Sequence, residues 1–131
     1  MKRNGRLALA LHTLGHMAAN PERLRTSGEI AEHSGTNAVV VRRVLAPLRD
    51  AGLVHSEKGH SGGWRLARAP TDISLADIYT ALGETLVATA ETPDITCETE
   101  QATFRRVTGV LDELEQTLLA RLSATSLSDL A

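Results

Sequence analysis

Apolar residues recur at helical spacing in four stretches of this chain and alternate at strand spacing in one. Leu7, Leu11, Leu14 and Ala18, with Ala10 and Met17 beside them, predict a first helix over about Asn4 to Ala19. Asn20-Pro21 ends it, because the residue before proline is pushed out of the helical region. Thr26-Ser27-Gly28-Glu29 has capping-box form and opens a short helix, Ser27 to His33, with Ile30 and Ala31 facing inward. Ser34-Gly35 breaks that helix, and Thr36 or Asn37 caps the next. There Val41, Val44, Leu45 and Leu48 fall on one side. Two helices joined by a short turn containing glycine form the helix-turn-helix pattern.

From Leu53 the period changes to two. Leu53 to Glu57 and Trp64 to Leu66 read as short strands, with Gly59, Ser61, Gly62 and Gly63 in the hairpin between them. Ser74-Leu75-Ala76-Asp77 is a second capping box, starting a helix to about Leu82 that Gly83 ends. Residues 84–96 read as a connection. A long helix follows, about Cys97 to Leu122, with Phe104, Val107, Leu111, Leu114 and Leu118 in alternating three- and four-residue steps and Val110, Leu119 and Leu122 widening the stripe. So much apolar surface needs a partner: a second copy of itself, or the rest of its own chain. Ser126-Leu127-Ser128-Asp129 resembles one more helix start.

The third helix carries the most informative polar face. Opposite its apolar side lie Val39, Arg43 and Ala46, flanked by Thr36, Val40 and Arg42. Arginine can bond guanine edges bidentately and small apolar groups can meet the thymine methyl, so this face suits a major groove. Arginine and asparagine near the helix start equally suit phosphates, which position without specifying. The simpler alternative is two solvated arginines. Pro47 should kink the helix, at about 3 kcal/mol in an ordinary context. The hairpin offers Lys58 and His60 among glycines, which suits backbone approach to phosphates or a minor groove. A phosphate-binding loop is excluded, because no Gly-Lys-Ser/Thr opens a helix there.

Composition narrows the picture. With 131 residues and only one Trp, one Tyr and one Phe, the core must be built from Leu, Val, Ile and Ala, which favours helices. No apolar run approaches the roughly 20 residues of a membrane span. The basic-then-apolar N-terminus lacks a small-residue cleavage site and continues as a helix, so it is not read as a signal peptide. A single cysteine, Cys97, excludes an intramolecular disulfide and makes a cytoplasmic location the default. The net charge of −2 hides an asymmetry: residues 1–70 carry 11 Lys/Arg against 5 Asp/Glu, a net +6, and residues 71–131 carry 3 against 11, a net −8. Only the front part is suited to meet a polyanion. No nucleophile–base pair or paired carboxylates suggest an enzyme. His12 and His16 have the spacing of a two-histidine metal site, but no nearby Glu, Asp or Cys completes a ligand set, so they read as structural.

The stretch from Val40 to Leu82, with its pattern AGLV…S.KG..GG..LAR.P…ISL.DIY.AL, resembles the winged helix of the Rrf-two family of bacterial transcriptional regulators, and the similarity extends over nearly the whole chain. The resemblance implies a mainly α fold with a small β-hairpin wing: a winged helix-turn-helix over 1–83, a connecting loop over 84–96, and a dimerisation helix and tail over 97–131. It implies a homodimeric regulator, expected to be a repressor, that binds double-stranded DNA with recognition helix 37–51 in the major groove and wing 57–64 on the backbone or minor groove. Asn37, Val39, Val40, Arg42 and Arg43 match the family's recognition-helix positions. Lys58 matches the basic wing residue, and His60 and Ser61 occupy the variable tip. Ser27 and Thr36 complete the candidate contacts. A winged-helix module that binds protein instead is the alternative.

Cluster-binding members of that family carry three cysteines before the long helix, whereas this chain has Cys97 alone. An iron–sulfur cluster needs about four ligands, so no cofactor is expected. Cys97 remains a candidate redox sensor at a helix N-terminus, with Glu98 and Glu100 disfavouring its thiolate. The other readings are an unreactive thiol, or a cluster shared between protomers through His12 or His16.

Overall fold

The computed structural model describes residues 5–59, 62–84 and 97–130. The order is α1 (Gly5–Ala19), α2 (Ser27–Ser34), α3 (Ala38–Asp50), β1 (Val54–Glu57), β2 (Gly63–Leu66), a 3₁₀ turn (Pro70–Asp72), α4 (Leu75–Ala81), α5 (Glu98–Ser123) and a last 3₁₀ turn (Leu127–Asp129). This is the mainly helical fold with a hairpin that the periodicity predicts.

The local signals act as expected. Thr26 Oγ1 accepts from the Glu29 amide at 3.1 Å and starts α2. Gly35, at φ +70°, closes that helix in the left-handed region, where a side chain would be strained. Ser74 and Asp77 form a complete capping box, the Asp77 amide donating to Ser74 Oγ at 3.0 Å and the Ser74 amide to Asp77 Oδ2 at 2.9 Å. α3 runs unbroken through Pro47, and the Ala51 amide donates to the Pro47 carbonyl at 3.0 Å. Pro47 leaves one helix hydrogen bond unmade without interrupting the element.

The core lies where α1, α2, α3 and α4 meet beneath the hairpin. Leu14, Met17, Val41, Leu45, Leu48, Leu53, Ile73 and Ile78 are almost wholly buried. On α1 Ala10, Thr13, Leu14, Met17 and Ala18 are buried and Leu7 and Leu11 only partly covered, so the expected stripe holds at Leu14 and Ala18 and is joined by Ala10 and Met17. β1 and β2 pair antiparallel, Val54 opposite Leu66 and Glu57 opposite Gly63. Leu53 precedes the strand rather than opening it.

Two features have no counterpart in the sequence reading. Arg25 and Trp64 exchange backbone hydrogen bonds of 3.1 and 2.8 Å, so the segment before α2 adds a bridge to the hairpin edge. The last 3₁₀ turn returns to the core: the Leu127 amide donates to the Ile73 carbonyl and the Leu75 amide to the Thr125 carbonyl, both at 2.9 Å, and Leu127 is fully buried. That single turn is all that develops from the expected helix start at Ser126.

α5 stands apart. No residue of its 26 is fully buried, and Phe104, Val107, Val110 and Leu114 are largely exposed. It packs against α4, where the Tyr79 hydroxyl donates to Glu115 Oε1 at 3.0 Å.

Candidate nucleic-acid interface

α3 owes its placement to its apolar side. Val41, Val44, Leu45 and Leu48 are buried against α1 and α2, and that fixes Val39, Arg42 and Arg43 outward. Val39 is half exposed, and both arginines are exposed with no ion pair or hydrogen bond among the described residues. Two unpaired guanidiniums beside an exposed valine make a surface that can donate to acceptors and cover a methyl group at once.

Not every expected contact stands on that surface. Val40 is half-buried and lines a groove shared with Leu9 and His12 of α1, so only one of the two valines is presented. Asn37, rather than Thr36, is the cap: its Oδ1 accepts from the Val40 amide at 3.0 Å, leaving the side-chain NH₂ as the group free to donate outward. Thr36 is half-buried, and its amide donates to the Ala31 carbonyl at 2.9 Å. Ser27 Oγ accepts from Trp64 Nε1 at 2.9 Å and so ties α2 to the wing.

The wing is built on a tight base. A Cβ on Gly62 would lie 2.2 Å from the Glu57 carbonyl oxygen, and one on Gly63 would lie 2.7 Å from that of Arg25. Only glycine permits these crossings. Lys58 follows β1 and is exposed, with no ion pair among the described residues. At the hairpin base Arg65 pairs with Glu57 at 3.2 Å. His60 and Ser61 lie outside the described residues.

Away from this surface the structure assembles a group that sequence reasoning missed. His33 of α2 joins His12 and His16 of α1, its Nε2 standing 2.9 Å from that of His16. The group beside His12 and His16 is another imidazole rather than a Glu, Asp or Cys, 17 residues beyond His16 and brought in by the packing of α2 on α1. Burial, followed by the His33, His12 and Arg25 charges, lowers the His16 pKa below its ordinary 6.5.

Cys97 is exposed just before α5. Its pKa is lowered, because the backbone N–H groups of Glu100 and then Thr99 favour the thiolate. One thiol cannot supply the roughly four ligands of a cysteine-held iron–sulfur cluster, and the residues present do not fit that group.

The comparisons agree with this geometry. Residues 3–131 match the Rrf2 family, described as iron-dependent transcriptional regulators. YwnA of Bacillus subtilis (strain 168), by name a candidate HTH-type transcriptional regulator, is 33% identical over 129 residues, spanning 96% of this chain and 94% of its own. A crystal structure titled as that of a candidate DNA-binding protein superposes with a TM-score of 0.77 at 26% identity, covering 95% of this chain and 97% of the other. The structure of CymR, the global cysteine regulator of B. subtilis, shares the fold at a TM-score of 0.66 and 24% identity, over 100% of this chain and 96% of that one. These relatives are transcriptional regulators and not enzymes. Winged-helix architecture, a match over nearly the whole length and a one-third-identical relative of the same size together establish that the chain belongs to the Rrf2 (Rrf-two) family of DNA-binding transcriptional regulators.

Proposed function

We propose that this chain is a homodimeric, sequence-specific repressor acting in the cytoplasm. Residues 37–51 enter the major groove, and residues 57–64 rest on the backbone or minor groove. The carrying observation is the outward face of α3, where Arg42 and Arg43 lie unpaired among the described residues beside exposed Val39. The positive charge of residues 1–70 supports it, since neutralising phosphates releases counterions and supplies most non-specific affinity. Dimerisation is supported by the uncovered apolar line along α5, which fits a second copy of the same helix. Residues 1–83 then form the reading head and 97–131 the pairing element, joined by 84–96. The regulator works without a cysteine-held cluster.

A two-fold dimer reads half-sites about one helical turn apart. The test is fluorescence anisotropy on a site selected from random duplexes, measured across salt concentrations. Arg43→Ala should lose about 1–3 kcal/mol of discrimination at one position per half-site. Lys58→Ala should weaken binding to all sequences and reduce the salt slope by about one. Specific binding unchanged by both substitutions would refute the residue assignment, and a flat salt dependence would point to a protein partner.

A further inference from the structure

Three histidines from two helices face one another outside the DNA-reading surface. His12 and His16 stand one turn apart on α1, and His33 is next to last in α2. Ring centroids are 4.6 Å apart for His12 and His16, 5.2 Å for His12 and His33, and 4.4 Å for His16 and His33. One ligating nitrogen from each lies within 4.8 Å of the other two. The rings line a cavity of about 210 Å³ together with Arg23, Arg25, Glu29 and Ser34. Ser34 Oγ is shielded from solvent and has no hydrogen-bond partner among the described residues. At 2.9 Å, one of the facing Nε2 atoms of His16 and His33 must present a lone pair to the other.

We propose that His12, His16 and His33 form a binding site for a first-row transition-metal dication, with Zn²⁺ the best match, bridging α1 to α2. Imidazole nitrogen suits zinc, copper, nickel and iron, and does not suit magnesium or calcium. Zinc–nitrogen bonds of about 2.0–2.1 Å in a tetrahedral arrangement put ligand nitrogens about 3.3 Å apart. The present separations, from 2.9 Å to at most 4.8 Å, bracket that value. Small rotations of the exposed His12 and His33 side chains reach it, leaving the fourth position to solvent.

The surroundings permit a cation. Arg23 is paired with Glu29 at 3.0 Å. Arg25 opposes a positive charge, but its Nη2 is held by the His16 carbonyl at 3.1 Å, and the Glu29 carboxylate lines the same cavity. The site is independent of Cys97. His33 lies two residues before Gly35, the turn into α3, so a bound ion would clamp the support of the recognition helix.

The test uses the tag-free full-length chain in a Cys97→Ser background, so that no thiolate contributes. It is titrated with Zn²⁺ and Co²⁺, with Mg²⁺ as a hard-cation control, by calorimetry, cobalt absorbance and thermal melting. One Zn²⁺ or Co²⁺ per chain is expected, with a raised Tm and no response to Mg²⁺. His16→Ala and His33→Ala should each lower affinity by at least about 10–100-fold, the cost of losing even an outer-shell partner. His55→Ala, a histidine of β1 outside the cluster, should change nothing. Circular dichroism establishes that each variant folds. Imidazole NMR shifts on Zn²⁺ addition to the parent chain report the ligands without any histidine substitution. Absence of Zn²⁺ and Co²⁺ binding would overturn the proposal. Stoichiometric binding that survives the His16→Ala/His33→Ala double substitution, or that leaves the three rings unshifted, would overturn it as well.

Discussion

Leu114→Asp should dissolve the proposed dimer without unfolding the chain. Phe104, Val107, Val110 and Leu114 are 38, 52, 53 and 49% exposed on α5. Fully burying such a side chain contributes about 1.5–3 kcal/mol, so covering the exposed half of each contributes about 1 kcal/mol. Four positions on each of two copies give about 8 kcal/mol, within the range of about 4–15 kcal/mol that association costs in lost freedom. The margin is therefore narrow, and one layer matters. Two-fold symmetry counts the substitution twice. About 2 kcal/mol of burial is lost, and two carboxylates either desolvate, at several kcal/mol each, or hold the helices apart. A loss of at least about 4 kcal/mol raises the dimer Kd about a thousandfold. Sedimentation velocity over a concentration series reads this directly, and circular dichroism should be unchanged because Leu114 lies outside the core. A variant that stays dimeric over the same concentrations as the parent, or a parent that is monomeric throughout, would refute the reasoning.

Three further outcomes follow from particular contacts. Leu127→Ala, at a wholly buried position, should cost about 2–5 kcal/mol in urea denaturation, and an unshifted midpoint would mean that the terminal turn adds nothing to the core. Gly62→Ala places a carbon 2.2 Å from a backbone oxygen, so the wing base must open, at about 1–3 kcal/mol of strain; DNA affinity should fall, and unchanged anisotropy would deny the wing a role. Burial, followed by the hydrogen bond to Glu115, raises the Tyr79 pKa from its ordinary 10.0 to about 12. The fold favours the neutral phenol, so its stabilisation is complete below pH 10 and is lost as pH rises from 10 to about 12, about 2–3 kcal/mol in all. Alkaline denaturation of Tyr79→Phe should lack that loss, and an identical profile would show that the phenol does not titrate as described.

Most of the fold was legible because its signals are local. Thr26, Ser74 and Gly35 act within three or four residues, and the apolar side of α3 is a single clean stripe. What escaped depends on contacts between distant segments. No local rule brings Arg25 to Trp64, Trp64 to Ser27, or Leu127 to Ile73, because each pairing exists only once the helices have packed. The histidine cluster escaped for the same reason, His33 being one turn of no particular helix pattern until α2 is laid on α1. The outward placement of the candidate face was legible in outline, since an arginine pair opposite a buried stripe must point outward. Which valine accompanies the pair was not, because Val40 stands at the edge of the face and α1 partly covers it.

The contacts that escaped also decide how the basic and acidic parts of the chain work together. Within the described residues, α5 meets the winged-helix part chiefly through α4, by packing and by the Tyr79–Glu115 hydrogen bond, and through the turn that seats Leu127 beside Ile73. In a dimer paired along α5, the separation and angle of the two α3 helices are set by these same joints. A regulator whose half-sites lie one turn apart tolerates little rotation there, because a recognition helix displaced along the groove faces the wrong base edges. Tyr79 and Leu127 touch no part of the reading surface, yet loosening either joint should disturb binding to a full two-fold site more than to an isolated half-site. Arg43→Ala should weaken both in proportion, and that contrast separates positioning of the heads from reading by them.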